Sequence, residues 1–160
     1  VRMKFQLLIG LALLSTCMAE LLNIGRQSYA IKGRLVCGDQ PAGDVVVKLI
    51  DEDFGPDPDD TMDEGRTDSS GRFLLSGDTL EGTRIDPHLK IYHDCNDGII
   101  PCQRRWKFEL PNKYITNSAK PTKTLDMGTW NLEAIMPDEE HDCIHWNITI
   151  RLKLIIILYI

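Results

Sequence analysis

No stretch of this 160-residue chain holds the roughly 20 consecutive apolar residues that a membrane-spanning helix needs. Long segments with helical periodicity are missing too, as are internal repeats, low-complexity tracts and linkers that would separate domains. Positive charge is in deficit, with 18 Lys and Arg against 24 Asp and Glu. The two chain ends carry four of those basic residues and none of the acids, so the body between them sits near a net charge of −10. A field of that sign repels phosphate backbones, which argues against a nucleic-acid partner. Catalytic spacings are also lacking. Ser69, Ser70 and Ser76 have no His and Asp placed to make a nucleophile.

The ends have their own character. Residues 1–19 read as a secretory signal peptide, with Arg2 and Lys4 as the basic region, Phe5 to Leu14 as the apolar region, and Cys17-Met18-Ala19 as the cleavage site. Met3 is the expected start, and the mature chain is expected to begin at Glu20. Residues 147–160, "NITIRLKLIIILYI", form an apolar tail too short to span a bilayer, without the polar spacer of a glycolipid-anchor signal. An edge strand, an anchor signal and a gene-model artefact are the readings open for it, the last favoured. Asn147 heads the one Asn-Ile-Thr glycosylation sequon. Residues 20–146 then form one domain of a secreted, extracellular protein.

Without Cys17 four cysteines remain, Cys37, Cys95, Cys102 and Cys143, an even number that reads as two disulfides. Three connectivities are open. The short segment "CNDGIIPC" favours Cys95 with Cys102, which leaves Cys37 with Cys143.

Strand signals fill the body. "WKFEL", 106–110, and "WNLEA", 130–134, alternate apolar and polar as half-buried strands do, whereas "DVVVKLI", 44–50, is apolar on both faces and suits a central strand. Weaker strand signals cover 29–36, 72–76 and 88–93, the last with Leu89 and Ile91 inward. Turn chemistries such as "GDQPAGD", "DSSG" and "NDG" separate these runs, and at most one short helix fits, near 113–118. The pattern predicts an all-β, antiparallel sandwich or barrel.

Several segments together are more specific: "YAIKGRLVCGDQPAGDVVVKLIDEDFGPDPDDTMDEGRTDSSGRFLLSG", "IDPHLKIYHDCNDG", "PCQRRWKFELPNKYI" and "HDCIH". From Tyr29 to His145 the chain resembles the nematode transthyretin-like family. The resemblance implies a secreted, disulfide-tied, immunoglobulin-like β-sandwich of seven or so strands that ends soon after His145. The related fold also serves 5-hydroxyisourate hydrolase, but the terminal Tyr-Arg-Gly-Ser of that enzyme is not found here. The expected function is therefore non-enzymatic: binding of an extracellular ligand, anionic lipid or receptor. The alternative is an oligomeric carrier of small hydrophobic ligands, as transthyretin is.

Three groups of residues are candidates for a site. Arg104, Arg105 and Lys107 beside Trp106 would make a cationic, aromatic-flanked patch for an anionic head group or an acidic partner. Asp51, Asp53, Asp57, Asp59 and Asp60 offer oxygens suited to calcium, although Gly55 breaks the EF-hand spacing and Pro56 and Pro58 mark a loop. His141, Cys143 and His145 alternate, so a strand would turn all three to one side toward zinc. No cofactor is otherwise expected. In "TDSSGRF", Gly71 is expected to take a positive φ and Phe73 to enter the core.

Overall fold

The doubly apolar segment becomes the middle of a sheet. A computed structural model describes residues 25–52, 59–100 and 102–143. Its strands are β1 (Arg26–Cys37), β2 (Gln40–Pro41), β3 (Val46–Asp51), β4 (Asp60–Arg66), β5 (Arg72–Leu80), β6 (Pro87–His93), β7 (Gln103–Glu109), β8 (Leu125–Asn131) and β9 (Glu140–Asp142), with a 3-10 turn at Asn112–Tyr114. The expected signal peptide, the apolar tail, His145, Asp53 and Asp57 lie outside the described residues.

One sheet has the order β4-β3-β6-β7-β9, all antiparallel. In the other, β1 pairs with β2, β5 and β8. Because β1 meets β5 and β8 at the same residue, Ile31, those two strands flank it on opposite sides. The β1–β8 pairing is parallel, the exception to the expected antiparallel pattern. Between the two sheets lie Tyr29, Ile31 and Leu35 of β1, Phe73 and Leu75 of β5, Val47 and Leu49 of β3, Leu89 and Ile91 of β6, and Trp106 of β7. Fully burying each aliphatic side chain contributes about 1.5–3 kcal/mol. The fold is a two-sheet, disulfide-tied β-sandwich, so the expected fold class holds.

Local chemistry explains the tightest turn. Asp68 Oδ1 accepts from the Ser70 and Arg72 amides at 2.8 and 2.9 Å, and Gly71 takes φ +78°. A side chain at Gly71 would run into the Leu35 carbonyl as well as strain the backbone.

Several expectations change. "WNLEA" begins inside β8 but leaves the sheet after Asn131, where a turn follows buried Leu132. The polar, half-exposed β4 and the three-residue β9 give no apolar alternation and are edge strands of the kind sequence conceals. The disulfides are Cys37–Cys95 and Cys102–Cys143, not Cys95–Cys102 and Cys37–Cys143. Cys95 continues the inward parity of Leu89, Ile91 and His93, which turns it toward the other sheet, where β1 ends at Cys37. Gln103 pairs with Asp142 across β7 and β9, so one residue farther out Cys102 meets Cys143, with Cα atoms 4.2 Å apart.

Candidate functional site

The residues expected to form one cationic patch are divided by β7 between its two faces, since successive strand residues point to opposite sides. Arg104 and Trp106 face inward and are buried. Arg104 Nε and Nη2 donate to the two carboxylate oxygens of Glu139 at 2.6 and 2.7 Å. Its nitrogens also donate to the backbone carbonyls of Cys95, Leu132 and Ala134 at 2.7–3.0 Å. Trp106 Nε1 donates to the same Glu139 carboxylate at 2.8 Å. These bonds to Arg104, then to Trp106, hold the Glu139 carboxyl at a pKa of about 2 despite its burial, while the Glu139 carboxylate raises the guanidinium pKa. The arrangement ties β7 to the loops after β6 and β8. It is a structural anchor.

Arg105 and Lys107 point the other way, Arg105 to Glu140 and Asp142, Lys107 to Glu52. Neither offers an unpaired cation.

Of the proposed calcium ligands, Asp51 and Asp60 are cross-strand partners whose carboxylates go to different groups. Asp51 is buried and accepts from the Asp86 amide at 2.6 Å. Asp59 pairs with Lys90 at 2.6 Å, and this bond lowers the Asp59 pKa. Asp60 accepts from the Thr79 hydroxyl at 3.4 Å. Beside them lies a cluster that sequence spacing did not show: Glu52, Asp86 and His88, whose potential ligand atoms lie within 4.8 Å of one another.

Of the zinc candidates, His141 and Cys143 are among the described residues. The Cys143 sulfur is bonded to Cys102, and His141 Nε2 lies 3.0 Å from Asp97 Oδ1. His93 is buried edge-on against Trp106, and neither ring nitrogen has a hydrogen-bond partner. Burial, reinforced by Arg104, drops its pKa to about 4.

A concavity lies over the outer face of the β1-containing sheet. It encloses about 590 Å³ and is lined by Lys32, Arg34, Asp68, Arg72, Leu74 and Asp126 among others. Arg34 and Arg72 sit directly opposite each other on antiparallel β1 and β5. Like charges so placed repel, at a cost of a few tenths of a kcal/mol to about 1 kcal/mol. Among the described residues Arg34 spends only its Nε, on the Ser70 carbonyl at 3.0 Å. Among the described residues the Arg72 guanidinium makes no hydrogen bond or ion pair. The two carboxylates at the rim are already engaged: Asp68 by the Ser70 hydroxyl, by loop amides and by the charge of Arg72, Asp126 by the Gly128 amide and Lys32, and each has a lowered pKa as a result.

The model of the Transthyretin-like family matches residues 32–111, half of the chain. The chain belongs to the transthyretin-like family. Transthyretin-like protein 33 of Caenorhabditis elegans is 48% identical over 119 residues, covering 74% of this chain and 83% of that protein. Transthyretin-like protein 46 is 48% identical over 86% of this chain and 74% of its own length, and transthyretin-like protein 2 is 46% identical over 86% and 97%. The family match contains the Arg34–Arg72 pair, Glu52, Asp86, His88 and the whole of β7. Sequence reading passed over the pair in this transthyretin-like chain because only the register of β1 with β5 joins residues 38 positions apart, although "IKGRLV" alone already puts Lys32 and Arg34 on one polar face.

Proposed function

We propose that this transthyretin-like chain is a secreted, non-enzymatic extracellular binding protein that engages an anionic group through the cleft at Arg34 and Arg72. The observation that carries this reading is the cross-strand Arg34–Arg72 pair, two arginines at directly opposed positions whose terminal nitrogens make no hydrogen bond among the described residues. Guanidinium forks match phosphate and carboxylate oxygens bidentately, and a bound anion would relieve their mutual repulsion. On a chain with more acids than bases, a local cationic cleft selects its anion against a repelling background. Two disulfides and the signal-peptide pattern support an extracellular setting. The buried ionisable pair, Arg104 and Glu139, is consumed in holding loops, which supports binding rather than catalysis.

Co-sedimentation of the protein with vesicles of neutral lipid, with and without added anionic lipid, tests this reading. Binding that requires the anionic component and fades between low and high salt is expected. Equal binding to neutral vesicles, or none to either, would remove the anionic head group and leave a protein receptor. A carrier with a ligand channel would need symmetry-related subunits, so a monomer in gel filtration at working concentration excludes it.

A further inference from the structure

We propose that Glu52, Asp86 and His88, where β3 ends and β6 begins, form a binding site for zinc. The inference starts from the protons on one ring. His88 Nδ1 lies 3.0 Å from the Asp86 main-chain carbonyl, which can only accept, so Nδ1 carries the hydrogen. That leaves Nε2, the ring nitrogen able to offer a lone pair, facing the acidic cluster. Nε2 is directed at Glu52 Oε2, 3.0 Å away, and a carboxylate oxygen also has only lone pairs to offer. Two acceptors facing each other need a cation between them, either an extra proton or a metal.

The surroundings favour the metal. Zinc ligands lie roughly 2.0–2.2 Å from the ion, so two of them in a tetrahedral site are about 3.3–3.6 Å apart. The observed 3.0 Å is a hydrogen-bonding distance and would open by about 0.3–0.6 Å to seat the ion. The Asp86 carboxylate is a third ligand in reach. Imidazole nitrogen with two carboxylate oxygens suits zinc, whereas calcium needs six or more oxygens. The outer contacts are those of a metal site as well. A ligating histidine usually donates its other N–H to a carbonyl or carboxylate, as His88 does to Asp86, and a ligating carboxylate is itself held, as Lys107 holds the other oxygen of Glu52. The Asp86 backbone is fixed in turn by its amide bond to Asp51. His88 is buried, so its ring does not wander. A fourth, open position would fall to water or to a partner's side chain. This site is separate from the cationic cleft and does not depend on it.

The test titrates zinc, and calcium separately, into the full secreted protein stripped of metal, read by calorimetry and by melting temperature. One equivalent of zinc is expected to bind and raise the melting temperature, and calcium is not. His88→Gln and Glu52→Gln should each weaken zinc binding at least tenfold. Lys107→Met should also weaken it, because it removes the contact that holds the second Glu52 oxygen. If His88→Gln fails to fold, Glu52→Gln, at a partly exposed position, still decides. Absence of saturable zinc binding by the folded protein overturns the proposal. So does undiminished binding by Glu52→Gln, which would place zinc on other residues.

Discussion

Arg104 on β7 and Glu139 just before β9 meet as a two-pronged pair inside the protein, Nε to Oε1 at 2.6 Å and Nη2 to Oε2 at 2.7 Å, with side chains only 6% and 10% exposed. Removing one partner of such a pair strands a buried charge, which costs about 3–5 kcal/mol. Arg104→Met and Glu139→Gln are each expected to lower the urea midpoint by an amount in that range. Arg105→Gln should cost less than about 1 kcal/mol, since its partner Glu140 is exposed. Equal costs at positions 104 and 105 would contradict the assignment of an inner and an outer arginine.

Stability should fall with acid in two stages. His93 has its folded pKa depressed from 6.5 to about 4, so its contribution is complete above pH 6.5 and is lost as pH falls toward 4, roughly 3 kcal/mol in all. Glu139, depressed from 4.5 to about 2, adds a further loss below pH 4.5. His93→Phe keeps an edge-on ring against Trp106 and has no unpartnered nitrogens to bury. Denaturant melts of this variant between pH 7 and 4 should be nearly flat in the upper stage where the parent slopes. A parent curve that is itself flat there would contradict the burial of a neutral His93.

Peptide mapping without reduction should yield a fragment joining Cys37 to Cys95 and another joining Cys102 to Cys143. The loops closed, 58 and 41 residues in sequence separation, correspond to about 4 kcal/mol each in the chain-entropy picture. Replacing both Cys37 and Cys95 by Ser should therefore lower stability by about 4 kcal/mol while leaving the second bridge intact.

Sequence pattern revealed most of the sandwich because its central strands bury one or both faces, and a burial period is written in the residues. Val47 and Leu49, then Leu89 and Ile91, then Trp106 are readable as such. The expectations that failed or went unmade depend on pairing. Cys95 looked closest to Cys102 along the chain, yet its inward parity carries it across to Cys37. Arg104 looked like an exposed cation, yet only the loop that brings Glu139 beneath β7 makes its burial tolerable. Arg34 and Arg72 became a site through strand register, and Glu52, Asp86 and His88 through the neighbouring ends of β3 and β6.

Anion recognition by the outer face of the β1-containing sheet is tested most directly by comparing two charge-neutralised variants on anionic vesicles. The first is Arg34→Gln with Arg72→Gln, from the cleft, and the second is Arg105→Gln with Lys107→Gln, from the outer face of β7. Loss of at least tenfold in binding by the first, with the second close to the parent and both melting near it, is the predicted result. Retained binding by the first and loss by the second would contradict the cleft and return the anion to β7.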